Sequence, residues 1–394
     1  YTDIKTIGNH RHRSAHGGAR FYLSDAFPGE YTGQLFMGNI HEHAILIDTL
    51  ERNGSGFIGH HGQDFLKANN AQFVGFSTEI GPEGAVYILD WHDADICGDT
   101  VRTKDTGRIY RILPDKPKSK NWVGRYNDIN SLNNSELVQL QLRNSSWHAR
   151  RARIVLQNRA NKEEVGKETF DKLVNILETE KNVDHRLRAL WALHITGGVD
   201  INDLEKLLND DNEYIRSWSI QLLCEDMSPS KTAIKKFTLM AKNDPSPTVR
   251  LYLASALQRI KPKYRWMIAE NLVKHNADTA DHNIPKILWY GIEPLIADNP
   301  KMALELSNQS HIPLIVRHIA RRLTVANQLE ILVNEIGNND ENRKLLLLGM
   351  RDGLDGQNNL IAPRNWVKIY RNLRRTNDES GSIALQLSLK FGDE

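Results

Sequence analysis

The sequence predicts a mixed fold: partial β-propeller blades followed by an α–α superhelical solenoid of the HEAT type. Three observations carry that prediction. Residues 1–113 hold short runs rich in aromatic and β-branched residues, cut by Gly, Pro, Asn and Asp. Beyond residue 131 the apolar spacing changes to that of amphipathic helices. Within that second region a basic residue followed by an apolar run recurs at intervals of 26 to 37 residues.

The predicted strands in order are 19–23, 35–40, 44–50, 56–60, 73–80, 85–91 and 108–113. Gly81-Pro82-Glu83-Gly84 reads as a tight turn leading into Ala85–Trp91, an apolar run suited to a buried inner strand. A propeller blade takes about 40–50 residues and a closed ring about four to eight blades. Residues 1–113 therefore hold roughly two blades, too few to close. Residues 114–130, around Pro114–Lys120, read as a polar linker. Residues 131–394 form the helical repeats, opened by a capped helix at Asn134-Ser135-Glu136. The repeat is visible when the segments starting at Arg151, Arg188, Arg216, Arg250, Lys286, Arg317 and Arg343 are superimposed. One helix pair cannot bury its apolar face alone, whereas stacked pairs share a continuous core. The recurring basic residue reads as an ion pair or cap within its repeat, and the tryptophans at helical positions read as packing between repeats.

Lys and Arg number 51 against 49 Asp and Glu, a net charge of +2, which gives no general attraction to nucleic acid or anionic membrane. Cys97 and Cys224 lie in different segments, which speaks against a disulfide, and neither a haem-attachment motif nor a zinc-type cysteine pair is present. No apolar run approaches the length of a membrane span. Tyr1, with no signal sequence visible, reads as the start of a fragment or a processed chain.

Several longer motifs carry a family resemblance: Ser14–Tyr22, Phe27–Met37, Leu50–Phe57, His61–Leu66, Leu89-Asp90-Trp91 and Gly107–Ile112, with Ala189–His194, Val249–Arg259 and Trp289–Leu295 in the helical part. They resemble the C-terminal part of bacterial membrane-bound dehydrogenases, which are similar to six-bladed quinoprotein glucose and sorbosone dehydrogenases. The resemblance implies a fragment of an exported, periplasmic or cell-surface enzyme that oxidises a sugar or another alcohol with pyrroloquinoline quinone and Ca2+. It also implies that propeller blades belong ahead of this segment, that the isolated chain is inactive, and that a cytochrome c or other protein partner docks on the solenoid. Family members often carry a c-type cytochrome domain after the repeats, and no such haem motif stands in this chain.

On that reading His16, Asp90 and His92 are the catalytic candidates, and Arg20, His41 and Asp93 the candidates for holding the cofactor. His16 precedes Gly17-Gly18, where a backbone can approach a ligand closely; the alternative is a histidine that fixes a loop. Arg20 either holds an anionic cofactor or pairs with a neighbouring carboxylate. His41 and His43 share one face if their strand continues, and with His16 they suggest a metal site, against a hydrogen-bonded loop. Asp90 either reaches a channel mouth or accepts turn N–H groups while Trp91 packs. Gly98 after Cys97, where the family often has histidine, weakens a metal site in that loop. Two further readings stay open: a protein- or glycan-binding scaffold built on the solenoid, and lactone hydrolysis at a channel Ca2+.

Overall fold

A computed structural model describes residues 15–93, 105–117, 122, 124–376 and 378–392. Its β part comprises β1 (His16–Phe21), β2 (Leu35–Asn39), β3 (Ala44–Asn53), β4 (Gly56–His61), β5 (Leu66–Lys67), β6 (Gly75–Ile80), β7 (Val86–Asp90) and β8 (Arg108–Ile112). The strands form two small sheets, β1-β2-β3-β4 with β5 also on β3, and β6-β7-β8. Pairing is antiparallel at β1/β2, β2/β3, β3/β5, β6/β7 and β7/β8.

These sheets correct the propeller expectation. Neither closes, and no ring of blades is formed among the described residues. A propeller repeats four-stranded sheets around a ring, whereas these two sheets have five and three strands, with β1 and β2 of one lying against β6 of the other. The seam is made of glycine. A Cβ on Gly18 (φ +62°) would sit 2.5 Å from Ser77 Cα, and one on Gly38 would sit 1.8 Å from the Gly75 carbonyl oxygen. Only residues without a side chain let two backbones meet so closely. Gly17-Gly18 thus receives another strand of the same chain, not a ligand.

Behind the seam lies an aromatic core of Tyr22, Phe27, Phe36 and Phe73 with Ile45, Val86 and Ile88. The Tyr22 hydroxyl is saturated in the interior: it donates to Gly84 O (2.9 Å) and accepts the N–H groups of Ala26 (3.1 Å) and Phe27 (3.0 Å). The Gly81–Gly84 turn forms as expected, with Gly84 at φ +82° and its N–H donating to Gly81 O.

Sixteen helices follow among the described residues. The first four are α1 (Asn134–Gln139), α2 (Ser146–Ala160), α3 (Lys167–Thr179) and α4 (Val183–Thr196). The rest are α5 (Ile201–Leu207), α6 (Glu213–Leu223), α7 (Lys231–Asn243), α8 (Pro247–Ala256), α9 (Pro262–Leu272), α10 (Ile284–Ile296), α11 (Pro300–Gln309), α12 (Pro313–Val325), α13 (Leu329–Asn338), α14 (Arg343–Gly353), α15 (Trp366–Leu373) and α16 (Glu379–Lys390). No helix among the described residues is long and apolar enough to cross a membrane.

The chain gathers into two compact units, residues 1–53 with 57–200, and residues 54–56 with 201–394. In the first, α1 packs on α2 and α3, and α4 packs on α2 and α3. Asn133 opens α1 with a reciprocal capping box: its side chain accepts the Glu136 N–H (3.0 Å) while Glu136 accepts the Asn133 N–H (2.7 Å).

In the second unit α6, α8, α10, α12, α14 and α16 stack in one row, and α7, α9, α11, α13 and α15 in the other. This is solenoid-like packing, in which each helix meets its neighbour two places along. The seven basic segments seen in the sequence fall in α2, α4, α6, α8, α10, α12 and α14. In the second unit their arginines link successive turns. Arg216 grips Asp244 with two bonds (2.8 and 2.9 Å) and donates to the Asp210 and Asp211 carbonyls. Arg250 repeats the pattern on Asp278 (2.6 and 2.6 Å) and on the Asp244 carbonyl (3.0 Å). The acid stands six residues before the next arginine at Asp210 and Asp244. The ladder stops at Asp278 because Ile284 occupies the corresponding place. The ion pairs of Arg216 and Arg250 therefore join repeats, whereas Arg343 pairs with Asp340 within its own, as expected.

Candidate anion-binding face of the first unit

The strand-end residues named from the sequence are placed as follows. His16 is the exposed first residue of β1, in register with Asn39. Arg20 forms an ion pair with Glu79, the plainer of its two readings. β2 ends at Asn39 and β3 begins at Ala44, so no continuing strand sets His41 and His43 on one face. His41 donates its N–H to Asn39 Oδ1 (3.2 Å); His43 stands at φ +54° with Nδ1 2.7 Å from the Phe73 carbonyl oxygen. Asp90, 1 % exposed, accepts the N–H groups of Val74 (2.7 Å) and His92 (2.9 Å). Buried His92 places Nδ1 2.9 Å from Thr106 Oγ1, and Asp93 is buried beside it. Asp90 and His92 are joined by that backbone bond, whereas His16 and His41 are placed by strand register and a turn. Cys97 and Gly98 lie outside the described residues. No group of three His, Cys, Asp or Glu is arranged to hold a metal ion among the described residues. That finding removes the support for the expected Ca2+-dependent quinoprotein site.

A different site emerges around α2. From Leu137 to Lys162 the sequence holds no acidic residue but five arginines: Arg143, Arg150, Arg151, Arg153 and Arg159. The Ser146 N–H donates to Leu23 O (2.9 Å), which anchors the start of α2 to the loop after β1. His148 is buried between the Trp122 and Trp147 rings, with centroids 4.3 and 4.8 Å away. Its Nε2 lies 2.9 Å from the Arg125 carbonyl, which only accepts, so Nε2 carries the proton. Nδ1, 2.8 Å from Ser145 Oγ, is then free to accept from that hydroxyl. Burial pushes the imidazole below its usual pKa, in keeping with this neutral form. Arg125, itself buried, holds the assembly to the sheets through Asp25 (2.7 Å) and Pro82 O (2.7 Å).

Tryptophan faces carry the arginines. The guanidinium carbons of Arg125 and Arg143 lie 4.7 and 4.9 Å from the Trp122 centroid, Arg151 lies 5.6 Å from Trp147, and Arg153 lies 5.3 Å from Trp191. Stacking occupies the face of a guanidinium and leaves its in-plane N–H fork for oxygen acceptors. Arg143, Arg150 and Arg151 donate no hydrogen bond among the described residues. Arg153 donates to Gln141 Oε1 (3.0 Å), and Arg188 to the Gln141 and Arg143 carbonyls (3.2 and 2.6 Å). Arg159 likewise bonds to carbonyl oxygens, of Asn130, Leu132 and the Asn134 side chain. Burial, and then the positive charges of Arg188 and Arg150, pull Arg153 down to about 10. The guanidinium stays charged at neutral pH, in a place where added negative charge is favourable.

Trp147, Arg150, Arg151 and Ile154 follow the i, i+3, i+4, i+7 spacing and share one face of α2. That face walls a groove of about 570 Å3 whose other side is Arg20, Phe21, Glu79 and Tyr87. Arg20 and Glu79 neutralise each other, so Arg150 and Arg151 set the sign of the groove. A second hollow of about 550 Å3 lies by Arg143 and Arg188 but contains Asp25 and Asp184 as well, which makes it less cationic. His16, His41 and Asp90 line neither.

Sequence reasoning missed this face because the near-neutral whole-chain charge was set against a basic surface. The signal was local: 26 residues without an acid, with arginines and a tryptophan at helical spacing.

Residues 1–116, less than a third of the chain, match a family described as a domain of unknown function, DUF7133. No curated protein matches the chain. These results correct the expected kinship with quinoprotein sugar dehydrogenases: the family that matches carries no such description, and the predicted propeller is not formed.

Proposed function

We propose that the first unit is a binding module that captures an acidic segment of a partner protein on the arginine face of α2. The observation that carries this reading is the set of three exposed arginines, Arg143, Arg150 and Arg151, none of which has a hydrogen-bond acceptor or carboxylate among the described residues. A bound carboxylate would give these donors charge-assisted hydrogen bonds, and two of the three guanidinium groups lie over tryptophan rings. A protein partner fits better than a nucleic acid, because the free charge is confined to Arg150 and Arg151 on α2 with Arg143 just ahead of it, and the whole chain is near neutral. The solenoid-like row of helices beside it in sequence suits a chain that works by association.

The test is fluorescence anisotropy of a labelled glutamate-rich peptide titrated with the full chain. Saturable binding is expected, weakening as salt rises. The double variant R150E/R151E should lower affinity by at least about tenfold while keeping its circular dichroism, since like charges now meet across the contact. Wild-type affinity in a folded R150E/R151E protein would show that the reading is wrong.

A further inference from the structure

We infer that the groove reads an apolar side chain next to the acid, so that the partner presents an acidic segment interrupted by an aromatic or large aliphatic residue; this rests on the binding role proposed for the arginine face. The groove is not lined by charge alone. Phe21 of β1 and Ile154 of α2 both line it and remain 43 % and 47 % exposed. The Trp147 and Tyr87 rings add to the apolar lining. Each has a local reason to hold its position: Trp147 meets His148 edge-to-face and lies under Arg151, and Tyr87 donates its hydroxyl to buried Glu83 (2.6 Å). Arg111 grips that same carboxylate (2.6 Å) from β8, which fixes the wall from behind.

Charge and apolar surface are therefore interleaved over one helical face. Arg150 and Arg151 lie one turn beyond Trp147 and one turn before Ile154, which places a carboxylate-binding fork beside an apolar slot. A purely polyanionic ligand would satisfy the arginines and leave Phe21 and Ile154 wet. A purely apolar ligand would bury them and leave Arg150 desolvated without a partner, at a cost. A segment with both kinds of side chain satisfies both halves. The volume of about 570 Å3 accommodates a few side chains and not a folded domain or a duplex.

The experiment compares two labelled nonapeptides, alternating Glu and Ser, that differ only in a central Phe or a central Ser. The full chain should bind the Phe peptide about tenfold more tightly, the gain that comes from removing part of one large apolar side chain from water. In the F21S/I154S double variant, whose changes are at exposed positions, that preference should fall to about one. Equal affinity of the wild-type chain for the two peptides would overturn the apolar slot and leave the anion-binding reading standing. Failure to bind either peptide would overturn both. A single-stranded oligonucleotide of the same charge binding more tightly than the Phe peptide would overturn the choice of a protein ligand.

Discussion

The helical arginines of α6, α8, α12 and α14 in the second unit are partnered differently from those around α2 in the first. In the second unit Arg216, Arg250, Arg317 and Arg343 each meet a carboxylate, Asp244, Asp278, Asp352 and Asp340 respectively. In the first unit Arg143, Arg150, Arg151, Arg153, Arg159 and Arg188 are met by carbonyl oxygens, an amide side chain, tryptophan faces or nothing. A carboxylate six residues ahead of the next arginine turns the charge into a clasp between stacked helices. The α2 segment, with no acid over 26 residues, keeps its charge available. In these helices the acid at hand decides whether an arginine becomes a clasp or keeps its donors unused.

The sharpest way to break that contrast is to remove an acid from the ladder. Asp278→Ala leaves Arg250 buried without its partner, and we expect the second unit to lose about 3–5 kcal/mol of stability in denaturant unfolding. Peptide binding by the first unit should be unaffected. A loss near zero would mean that the clasp is ornamental. The middle-sized effect belongs to the first unit. A glutamate-rich peptide at a hundred times its Kd should raise that unit's unfolding free energy by about 2.7 kcal/mol. The D278A chain should gain the same increment, and R150E/R151E should gain little. An equal gain in R150E/R151E would place the anion elsewhere. The smallest effect is expected from His148. Its pKa is lowered in the folded protein by burial, so the unfolded chain takes up a proton first. Stability of the first unit should be level above about pH 6.5 and should fall as pH drops below that value, where the unfolded imidazole protonates. His148→Gln should flatten this portion of the profile, and an unchanged slope would assign the acid sensitivity to another group.

Individual strands were legible in the sequence. Predicted runs at 35–40, 44–50, 56–60, 85–91 and 108–113 coincide with β2, β3, β4, β7 and β8 to within a few residues, because alternation and turn residues act locally. The association of the sheets was not legible. It depends on Gly18 meeting Ser77 and Gly38 meeting Gly75, contacts between positions 37 to 59 residues apart that no local pattern announces. The recurrence of basic segments did locate alternate helices, since a repeat is a pattern along the chain. The partner of Arg216 was missed by one repeat, because Asp244 stands nearer in sequence to Arg250 than to Arg216. The binding face was hidden for another reason: a sum over 394 residues cancels a local excess of charge.

The glycine seam bears on the groove beside it. β1 supplies Arg20 and Phe21 to one part of the groove and β6 supplies Glu79 and Ile80 to another, and these two strands touch main chain to main chain. With no side chains between them to repack, the spacing of that floor is a fixed gauge, as incompressible as two peptide planes in contact.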